Sequence, residues 1–259
     1  MKLSGYTLHY IAHLNLLSDY NTKSFLMHKN RTKFMVSRGS RLENLTIENA
    51  KAEHGAQIHE IIKRAFGVPE DDPCDECIGA EAVAEQVKRF PEGQFVALYQ
   101  TTSSDILVVG YASTMRTNRP PNNKPKSWMD AIGTLGIANH VPDGDWLYGV
   151  EMAVRPKYHR QGIGTQLYDA RFELVQRLNL KGWYACGMLM GYHRYADQMS
   201  VQEYGEKVIK RELHDPTVTM QMNRGFTPLE VVEDYLDEPL AGGGAVLIIW
   251  ENPEYNESE

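Results

Sequence analysis

The stretch VEMAVRPKYHRQGIGTQLYDARFELV, residues 150–175, constrains the fold more than any other part of the chain. It begins as an apolar run and turns through a basic corner containing Pro156. It then meets glycines at 162 and 164 and continues with apolar residues at Ile163, Leu167, Ala170 and Leu174. The run ending at Val154 predicts a strand, and the three-to-four spacing after Gly162 predicts a helix reaching Leu178. A strand that feeds a helix through such a loop leaves the first amides of the helix unpaired and pointing outward, which suits an anion. The glycines let a diphosphate approach the backbone, and Arg160 adds positive charge. A glycine corner kept only for tight strand–helix packing is the competing reading. A dinucleotide fingerprint needs a third glycine where Leu167 stands, and a phosphate-binding Walker loop needs Gly-Lys-Ser/Thr; neither is present.

The flanking sequence supplies the rest of an element order. LTIENA alternates as a short strand, and a helix is predicted to open at Glu53. Its apolar face is Ile58, Ile61, Ile62, Ala65 and Phe66, and Gly67 with Pro69 ends it. A second helix spans Ala80 to Phe90. QFVALYQ and DILVVGYASTMRT read as an antiparallel hairpin joined by TTSSD. The Pro/Asn/Lys-rich stretch from Asn118 to Gly144 is too long for a simple connection and is expected to be a lid or surface insertion. WLYGVEMAV is the most strand-like segment. After a strand from Trp183 to Met188 comes a polar aromatic cluster, Tyr192, His193, Arg194, Tyr195 and Asp197, followed by a capping box of Ser200 and Glu203. Asp215-Pro216 opens a helix that Gly225 ends, so Asp215 is read as structural.

Charge divides the chain. Residues 1–42 carry +6 of a total formal charge of -7, leaving -13 on the remainder. This basic segment has weak periodicity and is expected to be a poorly ordered extension outside the chemistry, an organelle-targeting segment, or sequence upstream of a start at Met35. Residues 43–252 are then one domain and 253–259 an acidic tail. The negative balance argues against duplex binding. No apolar run approaches a membrane span and no secretory core is evident near the start, so a cytoplasmic setting is expected, or an organellar one if residues 1–40 are a targeting segment. Three cysteines cannot build a disulfide framework. Cys74 and Cys77 have zinc or redox spacing without a second ligand pair, so they are read as part of an exposed acidic loop over the substrate side, with a metal or disulfide role as the lesser alternative, and no metal is expected.

At this point AVRPKYHRQGIGTQLY resembles the acetyl-CoA-binding signature of the GNAT superfamily of N-acyltransferases. NRGF at Asn223 to Phe226 and the closing strand AVLIIW are similar to that family's later elements. LYGVEMAV, LYDARFELVQRLNL, GYHRYADQMS and GGGAVLIIW are, more narrowly, similar to GNAT-like modules associated with nitrilase-type carbon–nitrogen hydrolases. The resemblance implies an α/β (α+β) fold with a central mixed, mostly antiparallel sheet flanked by helices. It implies transfer of an acetyl group from acetyl-CoA to a primary amine in a ternary complex. It places the CoA pyrophosphate on the amides of Gln161, Gly162, Ile163, Gly164 and Thr165, with His159 and Arg160 beside it, and the pantetheine on Met152, Ala153 and Val154. The candidate partners are a small-molecule or peptide amine, a carbon–nitrogen hydrolase and a second copy of the chain. Nucleic acid and membrane are not expected.

Two departures matter. His159 stands where the signature has Arg or Gln, with Arg160 next to it as a substitute. Gln221 stands where many members place a tyrosine that protonates the leaving thiolate, and an amide cannot do so. Tyr192, Tyr195 and Cys186 are the nearby alternatives. Glu151, a carboxylate among apolar neighbours, is the candidate base, because burial raises a carboxyl towards a useful pKa. A structural ion pair with Arg155 or Arg116 is the competing reading. Retention of the acyl-CoA site in a module without turnover is the alternative to an enzyme.

Overall fold

The computed structural model describes residues 42–101 and 105–257. Nearly all of the basic extension, the tip of the TTSSD turn and the end of the acidic tail lie outside the described residues. The strands are β1 (Leu45–Asn49), β2 (Gln94–Gln100), β3 (Ile106–Thr117), β4 (Trp146–Val154), β5 (Gly182–Met188), β6 (Thr227–Val232) and β7 (Ala245–Glu251). They form one sheet in the order β1-β2-β3-β4-β5-β7-β6. Every neighbouring pair is antiparallel except β4 with β5. The helices are α1 (Gly55–Ala65), α2 (Ala80–Arg89), α3 (Trp128–Ile132), α4 (Ile163–Arg177), α5 (Val201–Ile209) and α6 (Val218–Asn223). This is the mixed, mostly antiparallel sheet flanked by helices that the resemblance implied.

The parallel pair positions the site. β4 and β5 are in register only at Trp146↔Gly182, Leu147↔Trp183 and Tyr148↔Tyr184. Beyond that point β4 stays with β3 and β5 stays with β7, so the two strands part and open a wedge in the sheet. Backbone groups on the inner edges of the wedge have lost their ladder partners and must find others. A bulge sits at the same place. Gly149 pairs with Thr114 and Glu151 with Ser113, leaving Val150 as the extra residue. Tyr148 and Glu151, three apart in sequence, therefore emerge on one face, where regular alternation would separate them.

Helices cover both faces. The Tyr111 hydroxyl of β3 donates to Gln86 of α2, whereas its neighbour Gly110 faces α4. A Cβ at Gly110 would lie 2.8 Å from Ile163, so the helix packs at a distance only glycine allows. Glu60 of α1 pairs with Arg155 at 2.9 Å just beyond β4.

Three expectations are corrected. The stretch from Asn118 to Gly144 is not a surface insertion: it contains α3, and Trp128, Ala131, Ile132 and Ile137 are buried. Its apolar residues are spaced for burial between polar turns, which the Pro/Asn/Lys content obscured. The helix expected at Glu53 starts as a tighter turn, Ala52–His54, before α1. Cys74 and Cys77 are joined as a disulfide, which was the lesser alternative. A turn with Cys77 N–H donating to Cys74 C=O brings their Cα atoms to 5.3 Å.

Candidate active site

The wedge opens into a cleft of about 770 Å³. All of the predicted cofactor-binding residues except Gln161 line it. The glycine corner is formed as expected. Gly162 caps α4 with φ 83°, a left-handed conformation that favours glycine, and Arg160 two residues earlier is also left-handed at φ 59°. A Cβ placed at Gly162 or at Gly164 would meet nothing within 4 Å. Tight strand–helix packing therefore does not require these two glycines. The open space lies in front of unpaired helix-start amides that no side chain caps, which is the geometry an anion requires. His159 is otherwise engaged: its Nε2 donates to the Val154 carbonyl at 2.8 Å.

Side chains and loops meet some of the orphaned groups along the splayed edge of β4. The Trp128 indole N–H donates to the bulged Val150 carbonyl at 3.0 Å. Trp128 N–H in turn donates to the Tyr235 carbonyl at 2.8 Å. The Met152 N–H donates to the carboxylate of Glu151 at 2.8 Å. Glu151 forms none of the ion pairs considered from sequence. Arg155 binds Glu60, and the Arg116 Nε donates to the Gly144 carbonyl. Loss of water around Glu151 pushes its carboxyl up to about 7, against the opposing effects of the Met152 N–H and of Arg171. It thus divides between acid and base near neutrality.

The opposite wall is aromatic and cationic. Tyr168 and Arg171 of α4, Trp183 of β5 and Gln221 and Arg224 near α6 all line the cleft. The Arg171 guanidinium lies 4.4 Å from the Tyr168 ring centre and 4.3 Å from that of Trp183. Its Nε donates to the Leu167 carbonyl and Nη2 lies 3.0 Å from Met152 Sδ. Burial lowers the Arg171 pKa to about 10, so it remains charged at neutral pH. Arg224 lies 4.8 Å from the Tyr168 ring centre on the third side and bonds Thr165 Oγ1 at 2.6 Å. The Gln221 Nε2 donates to the Tyr168 hydroxyl at 3.2 Å.

The structure does not bring Tyr192 and Tyr195 to this cleft. The Tyr192 hydroxyl donates to the Met199 carbonyl, and both rings pack on Tyr204. The polar aromatic cluster that attracted attention in sequence is therefore a packing feature, and His193 likewise bonds the Met190 carbonyl. Asp215 is structural, as read: its carboxylate accepts from Thr217, Val218, Gly191 and Tyr204. Cys186 lines the cleft, but burial pushes its thiol up to about 12, which opposes both a thiolate nucleophile and easy proton donation. Sequence reading missed Trp128, Tyr168, Arg171, Arg224 and Tyr235. One signal was available: Arg171 interrupts the apolar stripe Ile163, Leu167, Leu174 of an otherwise amphipathic helix. No cluster of three or more His, Cys, Asp or Glu among the described residues could hold a metal ion.

The model of the acetyltransferase (GNAT) family matches residues 55–189, from α1 to just past β5. The chain belongs to the GNAT family. Over 176 residues it is 36% identical to the probable hydrolase YhcX of Bacillus subtilis (strain 168), a match covering 68% of this chain. This chain spans only 33% of the length of YhcX. It is 27% identical over 223 residues to the uncharacterized N-acetyltransferase YkwB of the same organism, covering 86% of this chain and 96% of YkwB. Among solved structures, the loading GNATL domain of CurA from Lyngbya majuscula superimposes with a TM-score of 0.63 at 16% identity, over 81% of this chain and 98% of that domain. The GphF GNAT-like decarboxylase in complex with isobutyryl-CoA gives 0.61 at 16% identity, over 80% and 99%. Both likenesses are of fold. No helix among the described residues is long and apolar enough to cross a membrane.

Proposed function

We propose that the protein transfers an acetyl group from acetyl-CoA to a primary amine by direct attack in a ternary complex. The observation that carries this reading is the placement of Glu151. A carboxyl raised to about 7 and held without an ion-pair partner faces the cleft where β4 and β5 part, on the strand that leads to the empty glycine cradle. The amides at the start of α4 hold the pyrophosphate, and the backbone of Met152 to Val154 receives the pantetheine. Glu151 removes the proton of the attacking amine, directly or through water. The Met152 N–H that Glu151 now occupies becomes a donor for the thioester carbonyl once the carboxylate turns to the amine.

The cleft wall also bears on the acceptor. Among the described residues Glu151 is the only acidic one lining it, whereas Phe66, Trp128, Met188, Met190 and Leu236 supply apolar surface. An amine carrying one positive charge on an apolar body suits this wall better than a polyamine, which needs several carboxylates. The acidic loop at residues 70–76 is not part of the lining.

The test is thiol release from acetyl-CoA across a panel of primary amines, with wild type and Glu151→Gln. The variant should bind CoA normally and lose about 10²- to 10⁴-fold in kcat/KM at neutral pH. Equal rates would remove Glu151 from the mechanism. A second reading is supported by the match to a third of YhcX, named a probable hydrolase, and by Gln221 in place of the usual tyrosine. In it the module binds acyl-CoA and regulates a carbon–nitrogen hydrolase partner. CoA binding without acetylation of any amine, together with CoA-dependent affinity for such a hydrolase, would favour that reading.

A further inference from the structure

The amide at position 221 leaves the departing thiolate without its usual proton donor, yet a phenol from α4 reaches the same part of the cleft wall. Tyr168 rises from α4, packs its ring against Trp183 at 5.3 Å, and bridges to α6 through its hydroxyl. The Gln221 amide, as oriented, donates to that oxygen at 3.2 Å and does not consume its hydrogen. In this orientation, which leaves Gln221 Oε1 buried without a partner among the described residues, the Tyr168 O–H is left to donate to a ligand. Gln221 is itself buried and packed on Gly187, where a Cβ would collide with Oε1, so its amide has little freedom to move. Two guanidiniums, Arg171 and Arg224, lie 4.4 and 4.8 Å from the centre of the Tyr168 ring. Among the described residues neither guanidinium lies within ion-pair distance of a carboxylate: Arg171 feels Glu151 only at longer range, and Arg224 contacts Met220 Sδ, Thr165 and the Tyr168 ring. This is an arrangement for stabilising negative charge at the cleft wall.

We propose that Tyr168 is the proton donor to the leaving CoA thiolate, and that Gln221 is the positioning residue that holds its hydroxyl at the cleft wall. The assignment rests on the acetyl-CoA reading above. In the step, the amine nitrogen forms its bond to the acetyl carbon and the carbon–sulfur bond breaks with its electron pair on sulfur. The ammonium proton goes to Glu151 and the Tyr168 proton goes to sulfur. Exchange with solvent then returns a proton to Tyr168 and removes one from Glu151. Arg171 and Arg224 face the charge left transiently on the Tyr168 oxygen.

Tyr168→Phe removes one oxygen and keeps the ring, so the aromatic packing with Trp183 and Phe226 persists while Gln221 Nε2 loses its acceptor; a single cooperative transition at a modestly lowered melting temperature verifies this. Two measurements test the proposal. The first is affinity for CoA and for desulfo-CoA, which needs no acceptor. Wild type should bind CoA severalfold more tightly than desulfo-CoA, and Tyr168→Phe should lose that preference with desulfo-CoA affinity unchanged. The second is thiol release from acetyl-CoA with the best amine of the panel. Tyr168→Phe should lower kcat about 10- to 100-fold with little change in KM. Gln221→Met, which frees the phenol, should lower kcat by a smaller factor, and Tyr168→Phe/Gln221→Tyr, which moves the phenol to α6, should recover part of the loss. A CoA preference that survives in Tyr168→Phe, or a kcat equal to wild type, overturns the assignment while leaving the CoA site standing. Failure of wild type to bind either compound overturns the acetyl-CoA reading itself, and this assignment with it.

Discussion

Replacing Glu151 by Gln should make the protein more stable at pH 8, although it removes the proposed base. The carboxyl is raised from 4.5 to about 7, chiefly by loss of water. A folded-state pKa above the unfolded one means that the folded protein holds the proton more tightly between those two values, so stability falls as pH rises from 4.5 to about 7 and is level above. The full displacement corresponds to roughly 3 kcal/mol. Gln cannot ionise, and its Oε1 can still accept the Met152 N–H, so the variant escapes this loss without leaving a new unpaired group. The stability difference between Glu151→Gln and wild type should therefore grow by up to roughly 3 kcal/mol between pH 4.5 and 8, or roughly 6–12 °C in melting temperature for a domain of this size. Using the difference between two proteins cancels other titrating groups, such as His140 and Glu238, which the substitution does not touch. Thermal and urea unfolding at half-unit pH steps measure it. A difference that stays constant across that range would show that the carboxyl is not desolvated, and would remove the electrostatic reason for its acting as a base near neutrality. The same group should make wild-type kcat/KM rise through about pH 7 as Glu151 ionises.

Gly162→Glu should abolish CoA binding measured by calorimetry, because the added side chain enters the open space in front of α4 and sets a negative charge at its positive end; undiminished affinity in a folded variant would refute the cradle. Deletion of residues 1–40 should leave melting temperature and CoA affinity nearly unchanged, since that segment lacks the patterned apolar residues needed to dock on a core; a large loss of stability would show it to be integral. Trp128→Phe should cost about 1–3 kcal/mol in urea unfolding, because the bulged Val150 carbonyl loses its buried donor. It should also lower kcat by loosening the turn before Glu151. Unfolding unchanged from wild type would mean that water replaces the indole.

The fold was legible where local chemistry and the fold's demands coincide. β2, β3, β4 and α4 follow from their apolar runs or helical period and from the punctuation at their ends. The wedge between β4 and β5 was not legible in the sequence. Nothing in the composition of WLYGVEMAV says that its inner edge loses its partner after Tyr148, because parting is a property of two strands and their outer neighbours. The stretch from Asn118 to Gly144 failed for the opposite reason. Its prolines and asparagines are genuine turn residues, but Trp128, Ile132 and Ile137 between them bury side chains on the core, and Trp128 completes the hydrogen bonding of the bulge. Loop composition described its backbone and missed its role.

The site shows the same division more sharply. Glu151 stood out because a carboxylate in an apolar strand needs an explanation, and the glycine corner stood out because backbone amides at a helix start have a known use. Tyr192 and Tyr195 stood out for a weaker reason, crowding of polar aromatics after a strand, and they pack on Tyr204 away from the cleft. Tyr168 was passed over because tyrosine on the buried face of a helix is ordinary packing. Its significance depends on Gln221, 53 residues later, donating to its oxygen, and on Arg171 one turn further along α4. The departure at position 221 and the unexpected guanidinium in the α4 stripe are thus two halves of one observation. An amide that cannot give up a proton can hold the phenol that does, and a buried cation outside ion-pair distance of the described carboxylates can face the charge that the phenol leaves behind. If this is the right account, substitutions at 168 and 221 will not be additive: removing the phenol should make the identity of residue 221 kinetically silent unless residue 221 itself becomes tyrosine.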